Sequence, residues 1–282
     1  MKVCAITMVY RDYWALSQWY AHYSRHLGAA NLYIVSHGSD AKVSELCPAA
    51  NIITVPRDTL AGFDRKRADL LNSLQDSLGV VFDWVIRTDA DELICLDPEH
   101  HTSFTAFFET VNGSAVFALG INVVEGPDER PVDDSVGCLS VRRNAVFSGH
   151  YSKAWAVKRG THLVRHGIVS DDKDDFRIPV GVYLMHLKYA SMKALAAVNA
   201  DRMDVASGEE PGLPGKAWLD AEADAKKFVK RFNSLEPVEW CKASLDAYNA
   251  VSSHSVVDGG IVRASSIRLD LRTTLPDWFK YC

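Results

Sequence analysis

Seven consecutive residues without a charge, Val3–Val9, constrain the fold more than any other stretch of the chain. A strand that offers no polar face is buried on both sides, as in sheets covered by helices front and back. A helical pattern follows over about residues 13–26, where Trp14, Leu16, Trp19, Tyr20, Tyr23 and Leu27 recur at helical spacing. Gly28 stands where that helix needs a C-cap. Short strands are expected at 32–35 and 52–55, the second stopped by Pro56, then a helix over 64–78 with Leu70, Leu71, Leu74 and Leu78 on one stripe. Trp84-Val85-Ile86 reads as another buried strand, running into Thr88-Asp89-Ala90-Asp91-Glu92. Strand, helix, strand, strand, helix, strand is the order of an α/β fold: a Rossmann-like, open, mostly parallel sheet flanked by helices. Such sheets bind ligands beyond the carboxyl ends of their strands. Tyr10-Arg11, the turn from Ser36 to Asp40, and Asp89 to Glu92 are therefore expected around one crevice.

The pattern loosens further on. Strand-like stretches lie at 116–124, 137–146, 150–158 and 162–168, with a charged loop at 171–175 and a last core strand at 183–187. Residues 191–202 read as a helix, and the glycine- and proline-rich stretch 207–215 as a linker or mobile loop. An amphipathic helix is expected over 216–232, with Trp218, Leu219, Phe228 and Phe232 as its apolar residues, and a tail around Trp278 packing back. The expected organisation is a domain over 1–202, in halves 1–100 and 101–202, with a mostly helical extension over 203–282 packed on it.

Composition excludes several classes. With 48% hydrophobic and 24% charged residues the 282-residue chain is globular rather than disordered or fibrous. A net charge of −5 argues against broad electrostatic capture of nucleic acid, so no nucleic-acid partner is expected. Cys4, Cys47, Cys95, Cys138, Cys241 and Cys282 show no CxxC spacing, which argues against structural zinc and for reduced cytoplasmic thiols. No apolar run approaches the ~20 residues of a membrane span.

The chemistry concentrates in Asp89-Ala90-Asp91. A buried strand delivers two carboxylates at i and i+2 just past its end, and hard oxygens there suit Mn²⁺ or Mg²⁺. Taken alone, such a triplet is as compatible with a solvated turn. Its order among other segments resembles the GT-A glycosyltransferases, close to family 2 and its bacterial relatives. That group shows an opening strand followed by a helix of the kind E-W-x-x-H-H-x-x-L-G; here the matching stretch runs from Tyr13-Trp14 through Trp19-Tyr20-Ala21-His22-Tyr23 to Leu27-Gly28. Ser36-His37-Gly38-Ser39-Asp40 resembles the group's next turn, Trp84 to Glu92 its W-x-x-x-x-D-x-D-E segment, Lys153-Ala154-Trp155 a later K-[ST] segment, and His186-Leu187-Lys188-Tyr189-Ala190-Ser191 its H-Y-x-x-[KR]-S segment. The resemblance covers about residues 1–200.

The resemblance implies a metal-dependent glycosyltransferase that moves a sugar from a nucleotide-diphosphate sugar, first of all a UDP-sugar, to a hydroxyl of a glycan or glycolipid acceptor. It implies inversion at the anomeric carbon and a place in bacterial surface-glycan synthesis, in the cytoplasm or at the inner face of the membrane. Asp89, Asp91 and His186 would hold Mn²⁺ or Mg²⁺, with His166 as the rival histidine. Tyr10, Arg11, His37 and Asp40 would surround the base and ribose, while Arg67, Asp89 and Lys153 would contact the donor. The base that takes the acceptor proton would come from Asp171, Asp172, Asp174, Asp175 or Glu125, with Asp171, Asp172 and Glu92 taken as catalytic. Peripheral membrane contact and a homodimer are both compatible with this reading. Two alternatives stay open: a nucleotidyltransferase on a similar sheet, which would usually carry a glycine-rich basic loop where this chain has Tyr10-Arg11-Asp12, and an inactive domain that binds carbohydrate or a partner. A phosphatase of the haloacid dehalogenase type needs an aspartate on the first strand, and Thr7-Met8-Val9 has none.

Overall fold

The computed structural model describes every residue except Asp134, Glu210, Gly212, Pro214 and Gly215, and the side chains of Lys216 and Ala217 are likewise left aside. Strand β1 (Val3–Val9) is buried along almost its full length. Helix α1 (Tyr13–Leu27) begins where the Asp12 carboxylate accepts from the Ala15 N–H at 3.3 Å. It ends at Gly28, whose φ of 82° lets its N–H turn back to the Ser24 carbonyl. Leu16, Trp19 and Tyr23 face inward from it and are fully buried. Strand β2 (Leu32–His37), helix α2 (Ala41–Leu46), strand β3 (Asn51–Val55), helix α3 (Phe63–Leu78) and strand β4 (Trp84–Arg87) complete the first alternation. The short α2 was not legible as a helix in the sequence; Asp40 caps it by accepting from the Lys42 N–H.

The chain then passes through β5 (Glu92–Leu96), α4 (Phe104–Thr110), β6 (Ala115–Phe117), β7 (Leu119–Val124), β8 (Asn144–Phe147), β9 (Ala154–Val157), β10 (Leu163–Val164), β11 (Gly167–Val169) and β12 (Val182–Tyr189). Helices α5 (Met192–Ala206), α6 (Lys216–Leu219), α7 (Ala221–Ser234) and α8 (Trp240–Ser252) follow, then β13 (Ser255–Val257), β14 (Ile261–Ala264) and β15 (Arg272–Thr274).

The first sheet has the order β3-β2-β1-β4-β9-β6, with β3, β2, β1 and β4 all parallel and β9 antiparallel to its neighbours. This is the open, mostly parallel α/β sheet that the apolar runs specified. A second sheet, β15-β8-β7-β12-β5, sets β12 between parallel β7 and antiparallel β5. Because β5 lies in the second sheet and β9 in the first, the stretches 1–100 and 101–202 interleave. The third sheet, β10-β11-β14-β13, joins the extension to the preceding chain. Among the described residues the extension thus holds helices α6 to α8 and also three strands. The stretch 207–215 falls partly outside the described residues. Among the described residues no helix is long and apolar enough to cross a membrane.

The strand expected over 137–146 starts only at Asn144, after a single helical turn at Cys138–Ser140. The reason is Arg142, whose side chain has no exposed surface. Its guanidinium lies 3.2 Å from Glu125 and 3.7 Å from Glu129 and donates to the carbonyls of Ala190 at 2.6 Å and Arg130 at 2.7 Å. The backbone bends to bring it there. Glu125 is occupied by this pair and by the Met192 N–H at the start of α5. Breaking a buried pair from one side strands its partners and costs roughly 3–5 kcal/mol. Arg142→Met is expected to lose about 3 kcal/mol or more in urea denaturation, and a loss under ~1 kcal/mol would show that the bend does not depend on the pair.

Candidate functional site

Strands β1 and β4 run in parallel register, and the chain beyond β4 turns through Thr88-Asp89-Ala90-Asp91 before β5 begins. Trp19 Nε1 donates to Thr88 Oγ1 at 2.9 Å, which ties the turn to α1. The turn closes on itself: the Asp89 N–H donates to Glu92 Oε2 at 3.0 Å and the Glu92 N–H to the Asp89 carbonyl at 3.1 Å. Strand β12 pairs with β5 so that His186 stands opposite Glu92, and the Leu187 N–H donates to the Asp91 carbonyl at 2.7 Å. Sheet register therefore carries an imidazole to the carboxylates.

The two aspartates have different neighbours. Asp89 forms ion pairs with Arg67 and with Lys153, the latter at 3.1 Å. Lys153 also reaches Glu92 at 2.7 Å. Burial alone would raise the Asp89 carboxyl, but the Lys153 ammonium and Arg67 guanidinium outweigh it and hold it well below its ordinary value. Glu92 goes the other way, pushed up to about 7 by burial against the pull of Lys153.

Asp91 instead faces His186, with Oδ2 3.3 Å from Nε2. His186 Nδ1 lies 2.8 Å from Asn122 Oδ1. An amide oxygen only accepts, so Nδ1 carries the proton and Nε2 turns a lone pair toward Asp91. Burial lowers the His186 pKa despite the opposing pull of Asp91. Burial would raise the Asp91 carboxyl, but the contact with His186 holds it below its ordinary value, and a cation bound beside the two would act in the same direction. The ligand atoms of Asp91, Glu92 and His186 all lie within 4.8 Å of one another. Two hard oxygens and one imidazole fit Mn²⁺ or Mg²⁺. Of the expected trio, Asp91 and His186 lie together with Glu92, while Asp89 is held by Arg67 and Lys153; Lys153 holds Glu92 as well.

A cavity of about 470 Å³ opens over this turn. Tyr10, Arg67, Asp89, Asp91, His166 and His186 all line it. Arg57 lies 3.5 Å over the Tyr10 ring and donates from Nη1 to His37 Nδ1 at 3.0 Å, while His37 stacks on Phe63. His166 donates from Nδ1 to the His150 carbonyl at 2.6 Å, a contact that holds the ring at the cavity wall. Lys153 lies beneath the wall, buried against Asp89 and Glu92.

Other expected residues lie elsewhere. Asp40 does not line the cavity; it caps α2 and accepts from the Tyr13 hydroxyl at 2.8 Å. Arg11 reaches out to Asp201 at 3.7 Å. Asp171 and Asp172 sit on the loop after β11, where Asp172 accepts from the Asp174 N–H, and neither lines the cavity. Solvation of four neighbouring acids keeps that loop outside.

Several lining groups had no sequence signal. Asp12, raised to about 7 by burial and by the nearby Asp91, was not among the expected site residues. Tyr151 stacks on His186 with ring centres 3.6 Å apart. It reaches that place because a Cβ on Gly120 would come within 2.3 Å of the Tyr151 carbonyl carbon, so only glycine lets the two segments touch. Asp201 and Arg202 come from α5. The spacing of α5 in the sequence could have placed them on the face after β12, but nothing marked them as polar groups of a site.

No family model and no curated protein matches the chain. Among solved structures it is similar to a CMP:2-keto-3-deoxy-manno-octonic acid synthetase complexed with CTP, at 12% identity over 56% of this chain and 75% of that one, with a TM-score of 0.31. A 4-diphosphocytidyl-2C-methyl-D-erythritol synthase is 18% identical over 48% of this chain and 70% of that one, at 0.31. A mannose-1-phosphate geranyltransferase from Thermus thermophilus is 10% identical over 99% of this chain and 77% of that one, at 0.32. Likeness this remote says nothing of substrate or chemistry.

Proposed function

We propose that the chain is a metal-assisted transferase acting on a nucleotide-activated substrate. The observation that carries this reading is the Asp91–His186 pair, with its imidazole lone pair fixed toward a carboxylate at the carboxyl end of a parallel sheet. Bound there by Asp91, Glu92 and His186, a divalent ion would offset the charge that builds on a departing phosphate. Arg57 and Arg67 add fixed positive charge to the same wall. Tyr10, His37 and Phe63 form an aromatic group suited to a nucleobase.

Within that class we read the reaction as glycosyl transfer with inversion, on the resemblance of residues 1–200. The acceptor hydroxyl oxygen bonds to the anomeric carbon. The bond from that carbon to the diphosphate breaks, and its electron pair leaves on the nucleoside diphosphate. The hydroxyl proton passes to a base at the cavity wall, where Asp12, Asp201 and His150 stand. A UDP-sugar donor, a surface-glycan acceptor and a catalytic domain over 1–202 complete this reading. The second reading is nucleotidyl transfer from a nucleoside triphosphate, with pyrophosphate leaving. The several cations at the donor wall favour it, and the absence of a glycine-rich loop after β1 weighs against it.

A thermal-shift panel of UDP, GDP, CMP, dTDP and CTP, each with Mn²⁺ and with chelator, tests the class. A ligand at about 100 times its dissociation constant adds ~2.7 kcal/mol. One nucleotide is expected to raise the melting temperature by on the order of 5 °C, with the gain lost to chelator. A flat panel with metal present would sink the proposal. Free nucleoside diphosphate released from a sugar nucleotide supports glycosyl transfer, and pyrophosphate released from a triphosphate supports the second reading.

A further inference from the structure

A second cavity, of about 260 Å³, meets the first at His150, which lines both. Asn122, which fixes the His186 tautomer, lines it as well. Much of its wall comes from the extension, with Phe228 and Phe232 on α7 and Ile267 and Leu269 on the segment before β15. That wall is apolar. Phe228 stacks on Tyr189 at 3.6 Å, so the aromatic side is rigid.

Its charge is unbalanced. Arg231 and Arg268 both line the cavity. Arg231 pairs with Asp270. Arg268 has neither a hydrogen bond nor an ion pair among the described residues, and its charge presses on Arg231. The apolar chamber is thus lined by two guanidiniums, of which Arg231 alone is matched by a carboxylate among the described residues. A neutral, fully hydroxylated ligand would leave both the apolar wall and the spare charge unanswered.

We propose that this chamber is the acceptor site and takes an amphiphile, with an anionic phosphate or carboxylate against Arg231 and Arg268 and an apolar portion along Phe228, Phe232, Ile267 and Leu269. The proposal rests on the transferase reading, in which the larger cavity holds the donor. His150 marks the border across which the acceptor's reacting hydroxyl meets it.

Calorimetric titration of the whole chain with decyl phosphate below its micelle concentration, with inorganic phosphate and with decanol tests the assignment. Decyl phosphate is expected to bind at least about tenfold more tightly than either of the others, since it alone answers both features. Arg268→Glu is expected to weaken it about tenfold or more, while Arg268→Lys keeps most of the affinity. Arg268 is exposed, so both variants are expected to fold, and their melts check that. Equal affinity for inorganic phosphate would overturn the apolar part, and equal affinity in Arg268→Glu would overturn the site. The same samples are titrated with the nucleotide and Mn²⁺. A nucleotide response without decyl phosphate binding overturns the acceptor site and leaves the donor reading standing. Decyl phosphate binding without any nucleotide response overturns the chamber's role as an acceptor site together with the donor reading.

Discussion

Asp91→Asn is expected to cut transfer by three orders of magnitude or more and to erase the Mn²⁺-dependent response to nucleotide, while the protein melts close to the wild-type temperature without metal. The loss corresponds to about 4 kcal/mol of transition-state stabilisation, within reach of a metal that offsets leaving-group charge. The unusual half of this expectation is the unharmed fold. Asp91 has no Lys or Arg within ion-pair distance among the described residues; its side-chain partner is the His186 imidazole. Asparagine keeps the shape, and its amide can donate to His186 Nε2. Its backbone still accepts from the Leu187 N–H. Activity and melting temperature should therefore move apart, which a merely structural aspartate would not allow. Near-normal turnover in purified Asp91→Asn would sink the metal assignment.

Lys153→Met should behave in the opposite way, losing stability first. The Lys153 side chain is 9% exposed and that of Glu92 only 1%. Removing the ammonium leaves Glu92, already pushed up to about 7, without its counter-charge, so it must stay charged in a buried place beside Asp89 or take up a proton. Stranding a buried charge costs roughly 3–5 kcal/mol. For a chain of this size that is on the order of 10 °C in melting temperature. Glu92→Gln added to Lys153→Met removes the stranded charge and is expected to recover more than half of the loss. A double variant no more stable than Lys153→Met would show that the loss comes from packing of the lysine stem instead.

These two expectations separate residues that the sequence presents as alike. Asp89 and Asp91 flank one alanine and follow the same strand. What distinguishes them is Arg67, 22 positions before Asp89, and Lys153, 64 positions after it. No local pattern reports partners that far away. The strands that carry the turn were legible, because β1 and β4 are buried on both faces and apolar runs record that directly. The end of α1 was legible too, because a glycine at positive φ leaves a mark in the sequence. Asp40 was expected at the base or ribose, and capping α2 is what its side chain does. Lys153 was expected at the donor, and it is buried against Asp89 and Glu92. Asn122 could not be found at all, since its one task is to hold an imidazole 64 residues away.

The placement of β15 carries one more consequence. It forms the outer strand of the second sheet and covers β8, which would otherwise show a row of unsatisfied amides to solvent. Beyond it the ladder stops at a single bridge to Pro237, and a proline has no N–H with which to recruit another strand. The extension thus works as a hem: it finishes the open border of the sheet that carries His186 and keeps neighbouring molecules from stitching onto it.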